Sequence, residues 1–488
     1  MGGRIQVQVP RQSSVRRTGP RLLAAMFAAL ILYSCTGPNQ WIEDLWKHYS
    51  NHGPTSATPV RNPASGIYRS AGLSVTIEGS DPGSTIYYTV NGSAPTPTSS
   101  SGPSPFTLNL PDLSTSHVQA IAESFGHAAS GVASATYCVD PVLSICAGGG
   151  ASLASEGLGS SALSLGSPAG IFLAPSGDLY VADHDNAVVI RISNSTVHLV
   201  AGVISTPGSS PDGTPAAAAL LNGPSGVAVN AAGDVYISES NADLVRVVRH
   251  SSGRIYTIAG GGSDTLAMGV PALTASLYEP SGLALDAAGR LYICDSGYNK
   301  VRRYDPATGL IVTIAGDGAA PAAPTDSAGD GGPATAAHLA APGGVWVAPA
   351  GSPVFISDTN DNRVRRIDAS GTIWTIAGTG NTPASSTDTA GDGGAATAAL
   401  LNGPRGLTVD PWGNIYIADL WDFRVRKVSP DGTITTVIGN GNNGNYENNQ
   451  PISDPNEWLS NMDGLISDSS GRLFLAGSGY IRCVPPLP

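Results

Sequence analysis

Charge, aromatic rings and sulfur are all scarce in this 488-residue chain: charged residues make up 13% and aromatics 6%, with five cysteines and four methionines. So little charge excludes long solvated helices, whose outer faces need it. The 41% apolar content excludes a globally disordered chain, and 61 glycines with 37 prolines suit short strands joined by turns. Long hydrophobic runs are also missing. The longest, "LLAAMFAALILY", falls well short of the roughly 20 residues that span a bilayer as a helix.

Lysine, aspartate and glutamate are absent from the first 34 residues, where Arg4, Arg11, Arg16, Arg17 and Arg21 precede that apolar run. A basic stretch followed by a short apolar one is an export signal. Removing those five arginines from the 25 basic residues leaves 20 against 37 acidic ones, a net of −17. Such a surface disfavours nucleic acid and anionic lipid. The signal ends at "LYSC", which resembles the lipobox of bacterial lipoproteins. That resemblance implies cleavage before Cys35 and lipidation of Cys35, so that the only membrane contact is the lipid anchor. The alternative is an ordinary secretory signal followed by an incidental cysteine. Residues 35–58 are polar and turn-rich and read as a tether.

From residue 59 to 139 short apolar alternations appear between Gly, Pro, Asn and Ser turns: "GLSVTIEG", "STIYYTVNG", "PFTLNL", "SHVQAIAES" and "SGVASATYCV". Their number and spacing suit a β-sandwich. "DPGSTIYYTVNGSAPTPTSS" and "VQAIAESFGHAASGVASATY" resemble the chitobiase/β-hexosaminidase C-terminal-like domain. The resemblance implies an immunoglobulin-like spacer without catalytic residues.

The remainder, residues 142–488, repeats one sentence six times. "PSGVAVNAAGDVYISESNADLVRVVRHSSGRIYTIAGGG" returns as "PSGLALDAAGRLYICDSGYNKVRRYDPATGLIVTIAGDG", and aligned glycines fall at Gly170, Gly226, Gly282, Gly344, Gly406 and Gly464. Each interval of about 56–62 residues holds four strand-like runs, the pattern of a propeller blade. The wording, and linkers such as "AGDGGPATAAHLAAPGG", resemble NHL repeats of the bacterial extracytoplasmic kind. An all-β chain follows: an immunoglobulin-like sandwich, then a six-bladed NHL-type propeller. The sixth unit lacks its fourth strand, and an orphan "VLSICAGGG" precedes the first unit. The orphan is therefore expected antiparallel and outermost beside "YIRCV", with Leu143 near Cys483 and Cys146 near Tyr480.

Five second strands end in an acid (Asp183, Glu239, Asp295, Asp358, Asp419). Third strands carry Arg191, Arg246, Arg302, Arg365 and Arg426, with Arg482 in the sixth unit. The spacing places carboxylate and guanidinium across a hairpin, where the acid can also cap turn amides. Recurrence in five units points to architecture, since a site needs different residues in different places.

Function is sought where the units differ. Residues preceding the six aligned glycines line the expected channel mouth, and four of them are small or neutral. The exceptions, Arg405 and Asp463, form either a ligand-orienting pair or an interblade salt bridge. Loops between second and third strands add His184, Asn241, Tyr298, Asn360, Trp421 and Phe423. The aromatics among them offer contact area of the kind found at binding faces, or cover neighbouring blades. The propeller histidines do not recur at one position, and no nucleotide-binding, zincin or nucleophile-elbow motif is present. The expectation is a monomeric, exported binding or scaffold protein whose propeller face recognises a protein or glycan, with no cofactor, metal or catalysis. The alternative is a lyase- or lactonase-like propeller enzyme with an axial metal. Export permits disulfides, but spacing alone does not choose a pair among Cys138, Cys146 and Cys483.

Overall fold

The computed structural model describes residues 60–487 apart from 63–65, 69–72, 80–83, 111–113, 125–128, 140–141, 267, 323–328, 385–390, 443–449, 452–458 and 460–461. The export signal, Cys35 and the 35–58 tether lie outside the described residues. All described regular structure is β-strand or single-turn 3₁₀ helix.

The first module holds two sheets. Val60–Asn62, Leu73–Glu78 and Phe106–Leu110 form one; Gly66–Tyr68, Ala133–Val139, Ser114–Glu123, Thr85–Thr89 and Ser100–Pro103 form the other, in that order across the sheet. Alternate residues from both point inward, and Val75, Ile77, Ile86, Val118 and Ala120 are fully buried between them. Tyr88 stacks on Phe106 with centroids 4.9 Å apart, so it supports this core.

Six further sheets follow, four with strands in simple chain order; the third adds Met268–Pro271 outside its last strand, Leu310–Ala315. The first contains Pro168–Leu173, Leu179–Asp183, Val188–Ser193 and Thr196–Ala201, and the others repeat it. Each sheet's first strand packs against the next sheet's first strand, and Gly464–Ser467 of the sixth returns to Pro168–Leu173 of the first. This contact explains the aligned glycines. A Cβ on Gly170 would stand 2.5 Å from the Ser225 carbonyl, and one on Gly226 would strike the Ser281 carbonyl. The apolar faces are buried between sheets, sealed by the single-turn segments whose leading alanines (Ala216, Ala272, Ala334, Ala396) are buried.

The sixth sheet holds Gly464–Ser467, Leu473–Gly477 and Tyr480–Val484, then Val142–Gly148 from the other end of the chain. Two details differ from expectation. Gln450–Pro451 pairs outside Val142–Gly148, so that segment is not outermost. The register sets Ser144 opposite Cys483 and Gly148 opposite Tyr480, with a bulge between them. The same bulge interrupts the third-to-fourth pairing of all five other sheets. It inserts one residue on the fourth strand, which a hairpin count without bulges misses. Cys146 is the inserted residue here, and it is disulfide-bonded to Cys483 with Cα atoms 5.8 Å apart. Cys294 is free and buried.

Candidate functional site

The acids closing the second strands are wholly buried. Each accepts a backbone N–H from the segment leading into its own sheet. Asn222 donates to Glu239 at 2.8 Å, Tyr278 to Asp295 at 2.8 Å, Ala340 to Asp358 at 2.6 Å and Asn402 to Asp419 at 2.6 Å. Gly166 and Ser167 donate to Asp183. The carboxylate thus satisfies amides that the turn leaves without strand partners. Burial pushes Glu239, Asp358 and Asp419 up to about 7, and raises Asp183 and Asp295 in the same direction.

Four arginines reach these acids: Arg302 to Asp295 at 2.8 Å, Arg365 to Asp358 at 3.4 Å, and Arg246 to Glu239 and Arg426 to Asp419 at 3.5 Å. Three also meet a linker carboxylate, Asp212 at 3.3 Å, Asp330 at 2.6 Å or Asp392 at 2.7 Å. Arg302 instead donates to the carbonyls of Thr265 and Leu266. The Asp183–Arg191 pair is not made. Arg191 stands eight residues beyond its acid where the others stand seven, and one step in a strand turns the side chain to the other face. Arg191 lies opposite Tyr180, the position of Arg303 and Arg366, and its carboxylate neighbour is Asp178 at 3.9 Å. In the sixth sheet Arg482 lies opposite Leu475, the register of Arg246, with Gly477 in place of the acid, and lies 5.0 Å from the Tyr480 ring centroid.

At one end of the ring the sheet-to-sheet loops enclose a depression of about 520 Å³. Six of the residues selected from sequence line it: His184, Asn241, Asn360, Arg405, Trp421 and Asp463. A narrower axial cavity of about 240 Å³ continues below, walled by the first strands. Arg405 donates to Asp463 at 2.7 Å, so the two exceptional rim residues neutralise each other across the fifth and sixth sheets. His184 contacts Asp185 at 2.9 Å. Trp421 is 47% exposed, and its ring rests over Gly403, where a Cβ would stand 2.5 Å from it.

Tyr298 and Phe423 do not join the depression. The Tyr298 hydroxyl is 3.0 Å from that of Ser276 and its ring meets Tyr278 edge-on, which holds it over its own sheet. Phe423 ends the fifth hairpin in a left-handed conformation that turns its ring onto the core. Asn299 and Asn362 occupy that place in other sheets and accept the amides of Ala341 and Gly403 in the next sheet.

Glu279 is a lining residue that sequence reasoning missed. It is exposed and adopts φ 51, where equivalent positions carry Gly223 and Gly403. The signal was available: a glutamate stands before the recurring Pro-Ser-Gly at a position that favours glycine. Among the described residues, no group of three or more His, Cys, Asp or Glu is arranged to hold a metal ion.

Residues 376–457 match the family model described as "Teneurin NHL domain", and residues 75–137 match "Fn3 associated". Teneurin-1 of Gallus gallus is 34% identical over 191 residues, covering 37% of this chain and 6% of that protein. NHL repeat-containing protein 2 of Bos taurus is 28% identical over 156 residues, covering 30% of this chain and 20% of its own. The chain thus spans a small part of these relatives' lengths. A Bacteroides thetaiotaomicron protein of unknown function superposes with TM-score 0.53 at 18% identity, covering 89% of this chain and 98% of that one. An auxiliary nutrient binding protein of the same organism gives 0.50 at 15%, with the same coverage. The chain has an NHL-repeat fold of the propeller-like class.

Proposed function

We propose that the six sheets are the blades of one closed propeller, displayed by an immunoglobulin-like spacer on an exported, Cys35-lipidated bacterial envelope protein. The propeller end bearing Trp421 binds a protein or glycan, and the protein works as a monomer without catalysis. One observation carries this reading. Loops from several sheets converge on a depression whose Arg–Asp pair is internally neutralised and whose lining, among the described residues, includes one broad exposed ring, Trp421. Such a lining supplies contact area and hydrogen-bonding groups, the requirements of recognition. The relation to an auxiliary nutrient binding protein is one of fold and agrees with this reading.

The test is comparative capture of envelope proteins and glycans by the wild-type chain and Trp421→Ala. An affinity lower by more than about 1 kcal/mol supports the face. Equal capture by the two proteins moves the site elsewhere. Anchoring is tested separately: Cys35→Ser should leave the membrane fraction, because a lipid chain contributes about 0.8 kcal/mol per buried methylene. Full retention there would refute lipidation.

A further inference from the structure

The depression is not symmetric about the ring axis. Beside it, over the seam between the third and fourth sheets, lies a second hollow of about 370 Å³, and the two share Ala341 and Asn360. Together they form a trough that begins at the axial mouth and runs outward. The second hollow is lined by small residues and backbone. Its amides Asn299 and Asn362 already serve the sheet-to-sheet hydrogen bonds described above, and its Asp361 is paired with Arg363 at 2.5 Å.

Charge narrows what fits. Arg405 is held by Asp463, and His184 has Asp185 beside it. Among the described residues the mouth therefore has no cation without a carboxylate neighbour, while Glu279 adds a negative charge on a strained left-handed backbone. A phosphate, sulfate or uronate would find no matching charge. Asn241 and Asn360 present exposed side-chain amides, each offering donors and an acceptor together. Trp421 presents a flat apolar face.

We propose that the trough binds a neutral oligosaccharide chain. One sugar ring stacks on Trp421, units in the mouth offer hydroxyls to the Asn241 amide and the Glu279 carboxylate, and further units run outward past the Asn360 amide over the third–fourth seam. This rests on the binding-face reading above and gives it a ligand class. A sugar has an apolar C–H face and a rim of groups that both donate and accept, which matches a lining that holds a tryptophan, side-chain amides and a carboxylate. The outward hollow requires a chain, because a monosaccharide leaves it unfilled.

The experiment uses the full-length chain in titrations against neutral gluco-, manno- and xylo-oligosaccharides of increasing length. An oligo-uronate and a set of unstructured peptides serve as comparisons. At least one neutral series should bind, tighten from mono- to tetrasaccharide, and weaken roughly tenfold with Trp421→Ala. Asn360→Ala should reduce the gain with length more than it reduces monosaccharide binding. Trp374→Ala, an exposed ring lying outside the depression, controls for folding and should change nothing. Neutral and uronate chains binding equally would overturn the charge argument. Peptides binding in a Trp421-dependent way, with no saccharide bound, would overturn the ligand class and leave the face intact. Saccharide binding insensitive to Trp421→Ala would remove both.

Discussion

Two populations of charged groups lie within the same ring, one below the loops and one at the mouth, and they follow opposite rules. Below, Asp295 and Arg302 and their counterparts recur in four sheets, buried, with carboxylate and guanidinium turned on each other within the protein. At the mouth, Arg405, Asp463, His184 and Glu279 each occur once, part-exposed or exposed. Repetition belongs to the groups that make every sheet fold alike. Departure belongs to the mouth, the face proposed above to meet a ligand. The comparison separates two kinds of acid that composition alone counts together.

The sharpest way to break the comparison is to remove one member from each population. Arg302→Ala leaves Asp295 buried without its guanidinium, and unfolding should be easier by about 3–5 kcal/mol. Arg405→Ala removes an ion pair whose arginine is 35% exposed, and should cost about 0–1 kcal/mol. Denaturant titration of both variants checks this. Similar losses would mean that the mouth pair is as much a part of the frame as the buried ones.

Most of the frame was legible because it is periodic. The aligned glycines, the acid at each second-strand end and the missing strand of the sixth unit all stand out by repetition, and the observed pairing of Val142–Gly148 with Tyr480–Val484 lies within two residues of the expected register. What escaped was set by single-residue geometry. Arg191 stands one residue further along its strand than its counterparts and faces the other way. A bulge puts Cys146 within bonding distance of Cys483, where a bulge-free ladder sets it at Tyr480, three residues from that partner. At the mouth, the loop origin of His184, Asn241, Asn360 and Trp421 was readable, but side-chain direction was not, so Tyr298 and Phe423 read as equivalents of residues they do not resemble in space.

The next largest effect concerns the junction of the two chain ends. Cys146 and Cys483 are 337 residues apart in sequence and join the strands that complete the sixth sheet. Cys146→Ser with Cys483→Ser should lower stability by about 2–4 kcal/mol, through a less constrained unfolded chain. A reductant should produce the same loss in the wild-type protein and none in the double variant. If reductant leaves the wild-type unfolding midpoint unchanged, the bond contributes nothing to holding the ring.

The smallest effect is in pH, and it again separates the two populations. Burial raises Glu239, Asp358 and Asp419 to about 7, against ordinary values near 4. A carboxyl whose folded value is raised contributes stability that is fully present below its unfolded value and is lost as pH rises through the folded one. These groups therefore favour the folded chain less at pH 8 than at pH 5. Asp234, Asp368 and Asp468 are lowered by hydrogen bonds to neighbouring groups, and their contribution is lost only as pH falls below about 4, outside this window. His117, lowered by burial in the first module, acts in the opposite sense between pH 5 and about 6.5. Asp358→Asn with Asp419→Asn keeps an oxygen for the Ala340 and Asn402 amides and leaves Arg365 and Arg426 their linker partners Asp330 and Asp392. In that variant the decline from pH 5 to pH 8 should flatten, while Asp463→Asn at the mouth should leave it as in the wild type. Denaturation midpoints measured across that range decide the point. A wild-type midpoint that rises toward pH 8 would show that the guanidinium partners outweigh burial and keep these acids ionised.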